Sequence, residues 1–183
     1  DVERSRGLGD VYKRQALMTA VTCILGPLSV PIGPVPISFT NLAIYLSLYL
    51  LGWKRGTISY LIYLLIGLVG IPVFSGFTSG PGKLFGPTGG YLIGFIPLAL
   101  IAGYFINHFR HKKALSFLGM ILGTAVCYAL GTTWLAIQAH MGLSAALMAG
   151  VIPFLPGDFI KMILALLIAP QIRKQLDAAG LAR

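Results

Sequence analysis

Between residues 16 and 169 the sequence holds a single carboxylate, Asp158. One acidic side chain cannot help cover a water-soluble domain of that length. Soluble domains carry about 25% charged residues. This chain has 10%, with 56% hydrophobic residues and a mean hydropathy of +0.83. Its polar surface is missing, so the segment is read as solvated by lipid. An ordinary cytosolic enzyme, a secreted disulfide scaffold and a disordered chain are thereby excluded. Cys23 and Cys127 lie inside apolar runs without metal-ligand spacing. They are read as small hydrophobes, with no disulfide between them.

A bilayer crossing needs roughly 20 mostly apolar residues, within a range of about 17–25. Six runs approach that requirement: residues 16–30, 37–52, 56–71, 89–106, 114–138 and 156–169. The first stops at Pro31-Ile32-Gly33-Pro34-Val35-Pro36, where three prolines prevent a regular helix. Trp53-Lys54-Arg55 closes the second as an aromatic and basic interfacial anchor. The third ends at Pro72, and the sixth closes at Pro170. Residues 139–155 are apolar and nearly uncharged, and predict a short interfacial or re-entrant helix. The expected fold class is all-α, an integral-membrane six-helix bundle.

The net charge of +9 does not point to nucleic acid. No basic face is interleaved with aromatics, as such a partner requires. The basic residues instead sit in short clusters between apolar runs, the pattern that membrane insertion leaves in cytoplasmic loops. Lys54 and Arg55, then Arg110, Lys112 and Lys113, then Arg173 and Lys174 fall in alternate loops. The other loops carry only Lys83, with Lys161 just inside the last run. This asymmetry places both termini in the cytoplasm. No inverted repeat is visible, so the two-half secondary-transporter plan has no support.

Residues 1–15 stand apart, with seven charges and no apolar core. They are read as a non-native or disordered leader and set aside from the fold. The expected organisation is a single transmembrane domain over residues 16–176, followed by a cytoplasmic tail at 177–183.

Three constellations remain. Asp158 lies in Pro156-Gly157-Asp158-Phe159-Ile160-Lys161, and Lys161, three residues on, shares its helical face. Ionisable groups in a span are expensive, which marks the pair as a candidate site. Asp158 is equally a candidate N-cap of the sixth helix, with Lys161 as its counter-charge. A carboxylate and an ammonium together suit a small polar ring bearing N–H and C=O groups.

The second constellation is the glycine-rich stretch at residues 73–90. Most connectors are about 4–6 residues long, and glycine lets backbone N–H groups approach a ligand closely. Phe74, Phe77, Phe85 and Tyr91 are candidate walls of an apolar pocket, and a flexible turn is the alternative. The stretch lacks the Gly-Lys-Ser/Thr end of a P-loop, so the chain does not hydrolyse ATP by itself.

The third is Ala16 and Ala20, small residues four apart that let another helix come close. Gly119, Gly123 and Gly131 are assigned to internal packing. No zinc spacing, Ser-His-Asp or Cys-His arrangement is present.

Three stretches carry a family resemblance: Gly70-Ile71-Pro72-Val73-Phe74, Leu84-Phe85-Gly86-Pro87-Thr88-Gly89-Gly90-Tyr91-Leu92-Ile93-Gly94-Phe95, and Pro153-Phe154-Leu155-Pro156-Gly157-Asp158-Phe159-Ile160-Lys161. Over residues 16–176 the chain resembles BioY, the biotin-specific S component of energy-coupling-factor (ECF) transporters. The resemblance implies a six-helix bundle in a bacterial-type plasma membrane that binds biotin from outside. It implies partners as well: an ECF coupling transmembrane subunit and two ABC-type ATPases. It implies no cofactor, since biotin is the transported ligand, and no enzymatic activity. By resemblance Asp158 and Lys161 bind biotin, Phe74, Ser75, Gly76 and Tyr91 are further substrate-binding candidates, and Ala16 and Ala20 dock the coupling subunit. Many relatives have asparagine where Ser75-Gly76 stands here. The competing readings are an S component for another vitamin and a non-transporting membrane scaffold.

Overall fold

The first apolar run forms a helix because nothing in it breaks one, and it ends where Gly26-Pro27 begins. In the computed structural model, which describes residues 2–179, this helix, α1 (Val2–Leu25), does not start at Ala16. It passes unbroken through the segment expected as a leader. Leu, Arg, Lys and Gln there are good helix formers, and extending a nucleated helix is easy.

The proline-rich stretch after α1 forms a small antiparallel hairpin, β1 (Ser29–Val30) with β2 (Ile37–Ser38), in the register Ser29 to Ser38 and Val30 to Ile37. This is the only sheet among the described residues. Then come α2 (Thr40–Leu51) and α3 (Trp53–Leu68), broken only by Gly52 at φ +82°. A single-turn helix, α4 (Pro81–Leu84), sits inside the glycine-rich stretch. The longer α5 (Gly89–His108) and α6 (Lys113–Gln138) follow, then the short α7 (Leu143–Gly150) and finally α8 (Leu155–Ala178).

Three of these, α5, α6 and α8, are long and apolar enough to cross a membrane. With 12 and 16 residues, α2 and α3 reach about 18 and 24 Å at the α-helical rise of about 1.5 Å per residue. The surface is rich in large apolar side chains, as a lipid-facing bundle requires. Leu65, Val69, Ile137 and Ile160 are exposed, while Tyr45, Tyr60, Tyr63 and Asn41 are buried. Lipid tails are as apolar as leucine, so burial falls to groups that pack or hydrogen-bond.

The end expected at Pro170 is not where α8 stops. The helix carries Pro170 in its interior and runs through residues 177 and 178, which were expected in a tail. Residues 180–183 of that tail lie outside the described residues. Proline inside a membrane helix is tolerated when neighbours satisfy the groups it frees. Beyond Pro170, Arg173 Nη1 donates to the Tyr49 carbonyl at 2.5 Å. That carbonyl belongs to the last turn of α2, where helix carbonyls lack internal partners and a cation is favoured.

Packing between α5 and α6 explains the glycines of α6. A Cβ on Gly131 would overlap the Tyr91 ring, and one on Gly119 would overlap Phe105. The helices approach closely because those positions carry no side chain.

The bundle has two different ends. Gly52 lies against Asn107, at the end of α5, and Arg173 reaches Tyr49. The clusters at Lys54–Arg55, Arg110–Lys113 and Arg173–Lys174 therefore gather at one end. The hairpin, the glycine-rich stretch and the start of α8 gather at the other, around a cavity.

Candidate functional site

Pro156 and Gly157 open α8, and the N-cap position is Phe154 rather than Asp158. Asp158 is already helical, its N–H donating to the Phe154 carbonyl at 2.8 Å. The capping reading of Asp158 is thereby overturned: its carboxylate bonds across the bundle. Asn41 Nδ2 of α2 donates to Oδ1 at 2.9 Å, and the Tyr128 hydroxyl of α6 donates to Oδ2 at 2.5 Å. Lys161 Nζ completes the set, 3.0 Å from Oδ1.

Both charged side chains are buried, at 7% and 6% exposure. At that depth an unpaired charge costs several kcal/mol or more, so breaking the pair is destabilising. Lys161 is held a second time, donating to the Ser38 carbonyl of β2 at 2.6 Å, with its ammonium 5.9 Å from the Phe39 ring centroid. Four elements thus meet at one ion pair: β2, α2, α6 and α8.

A simple inventory shows what capacity remains. An ionised carboxylate has about four lone-pair sites, and an ammonium has three N–H donors. The described contacts use three sites of Asp158 and two donors of Lys161. One acceptor site and one donor are left, on two residues that both line a cavity.

The cavity walls come from every element at this end. The hairpin and α2 supply Val35, Pro36, Ser38 and Asn41; α5 supplies Tyr91, Leu92, Phe95 and Leu98; α6 supplies Thr124, Cys127 and Tyr128; Phe154, at the N-cap of α8, adds another ring. The glycine-rich stretch adds Ser75, Lys83 and Thr88. Its shape is fixed by backbone bonds. Gly76 N–H donates to the Pro27 carbonyl at 3.0 Å, and Gly80 N–H to Gly67 at 2.7 Å. Trp134 Nε1 of α6 reaches the Gly86 carbonyl at 2.9 Å.

Of the residues singled out from the sequence, the structure brings Asp158, Lys161, Tyr91 and Ser75 to this cavity. It does not bring Phe74 or Gly76. Phe74 is fully buried with its ring 5.7 Å from that of Tyr63, and a Cβ on Gly67 would overlap it. Gly76 sits at φ +73°, in a turn that glycine adopts freely. Their work is to shape the loop. Ala16 and Ala20 do not line this cavity. They lie exposed along an apolar groove between α1 and α3, lined also by Ile58, Ile62 and Ile66. Thr19 and Ser59 hydroxyls, 2.6 Å apart, hold those two helices together.

Sequence reasoning missed Asn41 and Tyr128. Both are neutral, and each is remote from Asp158 in sequence, by 117 and 30 positions. The available signal was a lone asparagine inside an apolar run, which is costly in lipid unless it finds a partner. Among the described residues no cluster of His, Cys, Asp or Glu is placed to hold a metal ion.

Comparison with known proteins adds a consistent set of likenesses. The BioY family model matches residues 9–178. The chain is 38% identical over 149 residues to Biotin transporter BioY2 of Lactococcus lactis subsp. cremoris, covering 81% of this chain and 82% of that protein. It is 36% identical over 161 residues to Biotin transporter BioY of Thermotoga maritima, covering 88% and 94%. Among solved structures, a crystal structure of the S-component for biotin from an ECF-type ABC transporter superposes with a TM-score of 0.85. The match has 33% identity and covers 92% of this chain and 93% of that one.

Proposed function

The chain belongs to the BioY family, and on that premise we propose that it is the biotin-binding S component of an ECF-type vitamin uptake transporter. The observation that carries this reading is the buried Asp158–Lys161 pair, which keeps one acceptor site and one donor beside a cavity. The ureido ring of biotin offers the complement, two N–H donors and a carbonyl acceptor. Asp158 accepts from a ring N–H, and Lys161 donates to a biotin oxygen. Asn41 and Tyr128 hold the carboxylate in place. Tyr91 and Ser75 form part of the wall, and Phe74 and Gly76 set the loop that carries Ser75.

The rest of the assignment follows from the same premise. Residues 16–176 form one transmembrane domain with six crossings, in which α1, α2 and α3 join the three longer helices. The basic end faces the cytoplasm with both termini, and the cavity opens outside. Ala16 and Ala20 lie on the groove that receives the coupling transmembrane subunit, and their exposure supports that role. Two ABC-type ATPases energise release inside, since this chain has no P-loop of its own. The location is a bacterial-type plasma membrane. The chain is a carrier subunit without cofactor and without catalysis.

The test is isothermal titration of detergent-purified protein, stripped of bound ligand by dialysis, with biotin, riboflavin and thiamine in turn. Tight one-to-one binding of biotin alone is the expected result. Tight binding of a different vitamin moves the chain to another S-component specificity, and no binding of any returns it to a scaffold role.

A further inference from the structure

The basic end holds one cation that topology alone does not explain. Insertion leaves lysines and arginines in loops, where water solvates them. Arg173 is instead inside α8, half-buried, and fixed by its Nη1 donation to the Tyr49 carbonyl at 2.5 Å. A guanidinium has five N–H donors, and the described contacts of Arg173 use one.

A second guanidinium shares the place. Arg110, in the turn between α5 and α6, stands close enough to Arg173 for the two charges to repel. The packing explains the approach: Gly52 lies against Asn107, and the Ser116 hydroxyl of α6 donates to the Phe109 carbonyl at 3.4 Å. Asp177, one turn further along α8, attracts Arg173. Among the described residues, however, no ion pair joins either arginine to a carboxylate. Two cations against one acid leave an excess of positive charge, and exposed Lys112, Lys113 and Lys174 add to it. Beside Arg110, α6 starts with no side-chain cap and no acid in its first turn, so its dipole also favours an anion.

Depth identifies the anion. By Arg173, α8 has risen about 27 Å from Leu155, at about 1.5 Å per residue. With 20 residues, α5 rises about 30 Å before the turn that carries Arg110. A hydrocarbon core is about 30 Å thick, so both guanidiniums emerge at the level of lipid phosphates. Leu164, Leu167 and Ile168 of α8 are exposed on the way there, an apolar surface for acyl chains.

We propose that Arg110 and Arg173 together bind the phosphate of an anionic phospholipid. Guanidinium forks match phosphate oxygens in pairs, and a phosphate between them relieves their repulsion. The site lies at the opposite end of the bundle from the cavity and does not depend on which ligand the cavity takes.

The experiment is native mass spectrometry of the purified full chain in detergent, titrated with phosphatidylglycerol and, separately, with phosphatidylcholine. Thermal unfolding checks the fold of every variant. The wild type holds one phosphatidylglycerol about tenfold or more tighter than phosphatidylcholine, the scale of two arginines at an anionic membrane surface. Arg110→Gln combined with Arg173→Gln removes that preference. Arg173→Lys keeps the charge, loses the fork and weakens phosphatidylglycerol several-fold. Lys54→Gln combined with Arg55→Gln removes as much charge from the same end and keeps the preference. Arg110→Gln alone, at an exposed position, weakens phosphatidylglycerol several-fold, and it reads the site even where the paired variant does not fold. No preference in the wild type, or an equal loss in the Lys54 and Arg55 variant, overturns the proposal, because the attraction is then diffuse. Inorganic phosphate that raises the unfolding temperature as much as phosphatidylglycerol overturns the lipid assignment in favour of a free anion. Biotin has no part in these readouts, so failure of the biotin reading leaves them standing.

Discussion

Both ends of this bundle concentrate positive charge, and they treat it in opposite ways. At the basic end Lys54, Arg55, Arg110, Lys112 and Lys113 are exposed. Their contacts are loose, such as the Lys54 ammonium 5.4 Å from the Trp53 ring centroid. Water solvates each of them, and exposed charges of this kind are worth little individually. At the cavity end Lys161 is buried, pinned between a carboxylate and a backbone carbonyl. A residue type is thus no guide to its role here. The number of fixed partners and the depth of burial are what separate Lys161 from the lysines and arginines of the basic end.

The comparison predicts where substitutions hurt. The largest effect belongs to Asp158→Ala, which strands Lys161 without a counter-charge. Loss of a buried partner costs about 3–5 kcal/mol, so a large fall in thermal stability and no measurable biotin binding are expected. Lys161→Ala comes next, weakening biotin about tenfold or more in calorimetry, as expected for a charged hydrogen bond of about 1.5–3 kcal/mol. Tyr128→Phe removes one donor to Asp158 while keeping the ring, and is expected to cost less, several-fold in affinity. Ala20→Trp leaves biotin binding unchanged and blocks co-purification with a coupling subunit, because it fills the groove between α1 and α3. The smallest effect is Arg110→Gln, which changes biotin affinity by no more than about twofold. A loss as large as that of Lys161→Ala would erase the distinction between the two ends.

Much of the fold was legible because its punctuation is strong. Gly52 and the Trp53-Lys54-Arg55 anchor mark the boundary of α2 and α3, and the His108–Lys113 cluster separates α5 from α6. The two misplaced boundaries share a cause. The residues before Ala16 are polar yet good helix formers, so loss of hydropathy did not mean loss of helix. Pro170 breaks one backbone bond, yet the helix continues, and Arg173 beyond it is tied to α2. Hydropathy and proline report locally, whereas helix ends are settled by what a neighbour satisfies.

The same limit applies at the site. The three-residue spacing of Asp158 and Lys161 is a local signal, and the structure places both on the cavity. Asn41 and Tyr128 are neutral and distant in sequence, and only the packing of α2 and α6 against α8 brings them to the carboxylate. Phe74 shows the converse. It stands in a ligand-like motif, but the missing side chain of Gly67 opens a slot that draws its ring into the core.

The most direct measurement is parallel calorimetric titration of biotin into the wild type and Asp158→Asn, with the fold of both checked by thermal unfolding. This substitution removes the charge and keeps the shape. The account predicts tight one-to-one binding in the wild type and a loss of about tenfold or more in a folded variant. Equal affinity in the two proteins would contradict it, because the buried carboxylate would then have no part in recognition.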